Sequence, residues 1–200
     1  MEATQRTIRL WLVGTTAVLV FAPLASAVDK EWYVQEGAWN DPSNWRPVGV
    51  PVSDDTAIVD QGEVQFNTTT PAQCARLTFG SAGGSIGRML MDYSGANLHV
   101  GGTMFVGDAG VGSYVQTAGS AYFVQVHLGE SSGGDGYVSL GGSESYFRST
   151  NWVYVGDRGR GTFVQTGGSS DLISCIGVGL GTGSFGLCVI SGGTMNTDGE

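Results

Sequence analysis

GDAGVGSYVQTAG, residues 107–119, and GDRGRGTFVQTGG, residues 156–168, are nearly the same phrase written twice. The glycines fall in register and Val-Gln-Thr recurs at the same offset after the third glycine. Self-similarity of this kind decides an architecture before any secondary structure is assigned. Aligned on the glycine that follows Thr-Ala in the first phrase and Thr-Gly in the second, the chain shows five registers, Gly95, Gly119, Gly142, Gly168 and Gly193, in steps of 24, 23, 26 and 25 residues.

Within that frame, Met91, Val115, Val138, Val164 and Val189 stand four residues before each anchor, an apolar and mostly β-branched column. Leu90, Tyr114, Tyr137, Phe163 and Cys188 stand one residue further back. Asp92, Gln116, Ser139, Gln165 and Ile190 follow the column, so polarity alternates with period two and short strands are predicted. A second strand then ends at Val106-Gly107, Leu128-Gly129, Val155-Gly156 and Val178-Gly179, and no stretch carries helical periodicity with caps. Two or three short strands per copy with glycine corners describe one coil of a parallel β-helix. A single coil cannot bury its apolar column, whereas stacked coils bury it continuously. The expected fold is therefore all-β, a right-handed parallel β-helix of ~24-residue coils.

Composition agrees. Glycine supplies 34 of 200 residues and charged residues only 14%, while 41% are apolar. Glycine does not fall at every third position, which excludes collagen, and the apolar content excludes simple disorder.

Residues 1–27 read as a secretory signal peptide: Arg6 and Arg9, the apolar run Leu10 to Ala22, then Ala25-Ser26-Ala27 as a cleavage site. Cleavage removes Arg6, Arg9 and Glu2, leaving 7 of 9 basic and 17 of 18 acidic side chains, a net charge near −10. That balance argues against nucleic acid and anionic lipid as partners. No membrane span is expected after cleavage.

Residues 28–53 hold Trp32, Tyr33, Trp39 and Trp45 among three prolines, and are expected to form an aromatic cap over the first coil. The alternative is a sugar-stacking platform on Trp39 and Trp45. Residues 54–87 are expected to form irregular first coils and 88–200 the regular array. The array stops at Glu200 in mid-copy, so a truncated product that associates end to end through an open strand edge is expected.

The pattern at 106–119 and 155–168, and more loosely VGLGTGSFGLCVISGGT at 178–194, resembles the repeat associated with type V secretion passengers and PEP-CTERM-sorted surface proteins. GAWNDPSNWRPVGVPVSDDTAIVD, residues 37–60, is similar to the stretch that often precedes such repeats in large bacterial exported proteins. The resemblance implies a bacterial origin, a right-handed parallel β-helix and a place on or near the cell surface. It implies no activity, because the family shares a repeat and no catalytic residues. The chain departs from it in showing neither an autotransporter barrel nor a PEP-CTERM tail.

Candidate chemistry is sparse. Asp108, Glu130 and Asp157 each follow a glycine corner and would form a carboxylate ladder with rungs roughly 5 Å apart, a conceivable Ca²⁺ site or acid pair. Aspartate is also an ordinary turn former, so no cofactor is expected and Ca²⁺ is the one candidate. His99 and His127 lie on different coils with no acid or serine at a recognisable spacing, so no catalytic residue is assigned. Gly181 to Gly186 matches G-x-G-x-x-G, but no helix follows to hold a pyrophosphate. If the valine column points inward, Tyr114, Gln116, Tyr137, Phe163 and Gln165 point outward as an aromatic and amide strip, there either to contact polysaccharide or a neighbouring fibre or to stack as ladders that stabilise the coil. Of three cysteines, Cys175 and Cys188 are the candidate disulfide and Cys74 the leftover, or all three are small apolar fillers. The function expected is an exported, non-enzymatic structural or adhesion element that meets matrix or polysaccharide, or a passenger stalk. The alternative is a module that binds or degrades polysaccharide.

Overall fold

The structure, a computed structural model, describes residues 26–197. The expected leader therefore lies almost wholly outside the described residues, as does Glu200. The chain is a parallel β-solenoid of about seven turns. Each turn crosses three faces, and a residue sits beside its counterpart on the next turn.

The first coil contains β1 (Asp29–Trp32), β2 (Glu36–Ala38) and the short antiparallel β3 (Trp45–Arg46), and the second β4 (Thr56–Val59), β5 (Glu63–Phe66) and β6 (Ala72–Cys74). The third begins with β7 (Arg76–Phe79) and β8 (Ile86–Met91). From there strands run through corners: β9 (Asn97–Val106), β10 (Val111–Leu128), β11 (Asp135–Ser149), β12 (Val153–Val155), β13 (Arg160–Leu172), β14 (Ile176–Val178) and β15 (Phe185–Thr197). The first face stacks β1, β4, β7, 104–106, 126–128, β12 and β14. The second stacks β2, β5, β8, 111–116, 135–140, 160–165 and 185–190, and the third starts at β6.

Period-two alternation sends two side chains per strand into the lumen. On the first face these are Ala57 and Val59, Leu77 and Phe79, Met104 and Val106, Val126 and Leu128, then Val153 and Val155, all essentially inaccessible. Each column is continuous along the axis, so every turn covers the apolar surface of the one before it. This is why one copy alone cannot fold.

On the second face Met91 and Val138 lie in the lumen as expected, but at Val115, Val164 and Val189 the phase is the reverse of the expected one. The lumenal column is Met89, Tyr114, Val138, Phe163, Cys188. Beside it runs Met91, Gln116, Leu140, Gln165, Ile190. Tyr114, Gln116, Phe163 and Gln165 are all buried at 0% exposure, while Val115 and Val164 face outward. The cause is the glycine anchor. Val138 stands four residues before Gly142, whereas Tyr114 and Phe163 stand five before Gly119 and Gly168, and a slip of one residue exchanges the two faces of a strand.

The structure also gives the repeat its true length. Corners between the first and second faces span six residues in the third, fifth and seventh coils (80–85, 129–134, 179–184) and four in the fourth and sixth (107–110, 156–159). The two near-identical phrases belong to the four-residue corners and are two coils apart. The bulky Tyr114 and Phe163, with Gln116 and Gln165, occur in those coils and alternate with Val138 and Leu140. The unit is a double coil in which large and small lumen fillings interdigitate.

Glycine has two separate jobs at these corners. Gly129 has φ +66°, a left-handed conformation that turns the strand end out of the face. Gly136 opens the next strand, and a Cβ there would overlap the carbonyl oxygen of Val106 and the amide nitrogen of Gly129. Its column, Gly87, Gly112, Gly136, Gly161 and Gly186, lines up along the axis where consecutive coils approach backbone to backbone.

Residues 28–53 are more than a cap. β1 pairs in parallel with β4 and β2 with β5, so this segment is already a coil, and the coils through 54–87 stack in the regular parallel way. The tryptophans close its lumen. Trp39 and Trp45 meet edge to face at 4.8 Å, Trp32 and Trp45 at 5.1 Å, and the Trp45 Nε1 donates to the Trp39 carbonyl at 2.8 Å. Trp39 and Trp45 are 1% and 0% exposed, which rules out their serving as a sugar platform. At the other end, among the described residues, β15 pairs on one side with β13 and leaves Phe185, Leu187, Val189 and Ile190 exposed. No helix of the described residues is long and apolar enough to cross a membrane.

Candidate functional site

Of the five residues expected to form an outward strip, Tyr137 alone is exposed, and its column neighbours are Ser113 and Thr162. The strip does not exist on the second face. Gln116 instead pins a corner from inside: its Nε2 donates to the carbonyls of Gly119 (2.7 Å) and Tyr146 (3.0 Å), and its Oε1 accepts from the Tyr114 hydroxyl (3.0 Å). Gln165 does the same two coils later, donating to the Thr194 carbonyl and accepting from the Ser170 hydroxyl. Burial pushes the Tyr114 phenol far above its ordinary pKa, so it stays a neutral donor.

The outward aromatics are on the first face. Phe105, His127 and Tyr154 share one column on consecutive coils, with ring centroids 5.2 and 4.4 Å apart and planes tilted by 34° and 35°. Trp152, two residues before Tyr154 and therefore on the same side of the strand, stacks on it at 5.6 Å with an interplanar angle of 11°. At the other end the Arg76 guanidinium lies over Phe105 at 5.3 Å. The result is a stripe of π-surfaces along the axis, with Trp152 38% exposed.

The six-residue corner of the fifth coil and the four-residue corner of the sixth adjoin this stripe. Glu130 and Asp157 both turn onto the His127 imidazole. Nδ1 is in hydrogen-bond contact with the Glu130 carboxylate and lies 3.3 Å from Asp157 Oδ2. One donor atom from each residue falls within 4.8 Å of the others, and all three side chains are only partly accessible. Burial, and then the neighbouring Asp157 carboxyl, raise the pKa of Glu130, while His127 pulls it down.

The expected acidic ladder is thus divided. Asp108 takes the Ser131 hydroxyl at 3.2 Å and stands outside the group, and Leu180 occupies the same corner position in the seventh coil. His127 was the residue that spacing alone did not bring in. Its link to Glu130 is a local His-x-x-Glu, but its link to Asp157 needs the register that sets Leu128 beside Val155.

The expected Cys175–Cys188 bridge is not formed, and all three thiols are free. Cys188 points into the lumen of the second face beside Phe163, whereas Cys175 sits in the turn before β14 on the first face. Their positions on different faces explain the absence.

Comparison with protein-family models, curated proteins and solved structures finds no match to this chain.

Proposed function

We propose that the protein is an exported, non-enzymatic adhesion element of a bacterial cell surface, a stiff rod whose contact surface is the Trp152–Tyr154–His127–Phe105 stripe. The rod follows from continuous lumen columns and parallel pairing through about seven turns. The observation that carries the contact surface is the outward stacking of Trp152 on Tyr154, since flat, exposed π-faces are what sugar rings and extended polymers pack against. Polysaccharide is therefore the preferred partner, and a strongly acidic chain does not favour nucleic acid or anionic lipid.

The degrading alternative receives less support from the geometry. Glu130 and Asp157 lie on one edge and turn onto a single imidazole. A glycosidase pair instead flanks the scissile bond from opposite sides.

The test is a pull-down on insoluble polysaccharides, with a glycan array, comparing the chain with Trp152→Ala and Tyr154→Ala. Saturable retention that falls about tenfold in either variant supports the reading. Retention by neither the chain nor the variants overturns the contact surface. Release of reducing sugar that disappears in Glu130→Gln would establish the degrading module instead.

A further inference from the structure

We infer that His127, Glu130 and Asp157 form a binding site for one divalent transition-metal ion of the zinc type, with its remaining coordination open to solvent. This site shares His127 with the aromatic stripe but does not rest on the polysaccharide reading. One imidazole nitrogen and two carboxylate oxygens are a donor set that Zn²⁺ accepts in three-ligand open sites. Ca²⁺ takes six to eight oxygens, and imidazole is a poor ligand for it. The carboxylate ladder therefore points to a different ion from the one its acids alone suggest.

The distances agree with this. Ligands about 2.0–2.1 Å from a tetrahedral ion stand about 3.3 Å from one another. His127 Nδ1 and Asp157 Oδ2 are already 3.3 Å apart. Glu130 is closer, hydrogen-bonded to Nδ1, and its three side-chain torsions allow the carboxylate to draw back as an ion enters.

Two features hold the group in place. The imidazole is clamped between Phe105 and Tyr154, which fixes the direction of its Nδ1 edge. The acids stand immediately after Gly129 and Gly156, corner glycines at φ +66° and +74° where a Cβ would overlap the backbone of the following coil. Among the described residues, no Lys or Arg lies within ion-pair distance of either carboxylate. Two acids sharing one imidazole therefore leave a charge that a dication offsets.

Among the described residues the group occurs once. A double coil earlier the equivalent positions are Thr78, Ser81 and Asp108, and in the seventh coil Gly177 and Leu180 replace the imidazole and the first acid. A turn-forming role alone does not require a histidine in this column.

The experiment titrates the full chain, carrying Cys175→Ser and Cys188→Ser so that thiols do not compete, with Zn²⁺ alone. Uptake is followed by calorimetry and by competition with a chromophoric chelator. One Zn²⁺ per chain is expected, with affinity about tenfold or more lower in His127→Phe and in Asp157→Asn. Phenylalanine already occupies the His127 column at Phe105, so His127→Phe should keep the stack. Calcium should bind more weakly than zinc. Should a variant fail to fold, ¹H–¹⁵N imidazole spectra of the unsubstituted ring decide: zinc should move the His127 resonances and leave those of His99 in place. No saturable uptake, uptake indifferent to both substitutions, calcium binding as tight as zinc, or movement of His99 instead of His127 would overturn the site.

Discussion

The Tyr114 hydroxyl donates to the Gln116 Oε1 at 3.0 Å, two lumenal residues of one strand satisfying each other where no water is needed. The same glutamine then reaches two corner carbonyls, from Gly119 of its own coil and Tyr146 of the next. The Val-Gln-Thr phrase is therefore an internal brace.

Gln116→Leu should fit the space, because Met91 and Leu140 occupy the same column on either side. It removes the amide donor from both carbonyls and leaves the Tyr114 hydroxyl with only the Met91 sulfur at 3.4 Å. A loss of about 1–3 kcal/mol is expected from the midpoint of urea unfolding. Adding Tyr114→Phe should recover part of it, and a double variant less stable than the single one would contradict this account.

Gly136→Ala and Gly83→Ala separate the two kinds of corner glycine. At Gly136 a Cβ would strike the coil below, while at Gly83 nothing lies within 4 Å. The first should cost about 3 kcal/mol or more. The second should stay within about 0.5 kcal/mol. Equal thermal midpoints would show that the coils can separate enough to admit a methyl group.

Thiol labelling tests the lumen. Burial, reinforced by the Asp55 carboxylate, pushes the Cys74 thiol up to about 12, so no thiolate is available near pH 8. Cys175 should react first with a maleimide. Cys188, raised by partial burial, should follow, and Cys74 should react only in denaturant. Mass spectrometry showing Cys74 labelled at the same rate as Cys175 would contradict the packing of the third face.

On the third face the Tyr146 hydroxyl donates to Asp171 Oδ2 at 2.5 Å, and Asn196 donates to the other oxygen at 2.8 Å. The Tyr146 bond, then the Asn196 bond, hold Asp171 below the usual carboxylate range. A depressed folded pKa means the contribution is present above the unfolded value and is lost as pH falls through the folded one. Tyr146 is shifted upward, first by burial and then by Asp171, so its contribution is lost as pH rises past the ordinary phenol value near ~10. Tyr146→Phe should raise the Asp171 carboxyl titration toward normal by ¹³C spectroscopy. An unmoved titration would exclude the hydroxyl as the cause.

The architecture was legible because glycine corners and period-two alternation are local, and the stacked coil is the arrangement that satisfies both. The direction each side chain faces was not. Anchoring on Gly142 set Val138 with Val115, when the backbone pairs it with Tyr114, and that single residue moved Tyr114, Gln116, Phe163 and Gln165 from the lumen to the surface. The acids at 130 and 157 were found from their corner positions. His127 was not, because its meeting with Asp157 depends on which residue of the next coil lies beside Leu128. Trp152 and Tyr154 stand two residues apart in one stretch, but their continuation into a stripe through His127 and Phe105 runs across coils, and no stretch of sequence contains that.

The alternation of corner lengths gives one edge of the rod a periodic profile. Gly83 and Gly84, Gly133 and Gly183 crown the long corners with open space where a side chain would stand. The short corners between them recede, and successive crests fall roughly 10 Å apart. Loops or epitopes grafted at those crests would be presented in single file at a pitch set by backbone hydrogen bonding, so the chain is by construction a molecular ruler whose graduations can be rewritten without disturbing its scale.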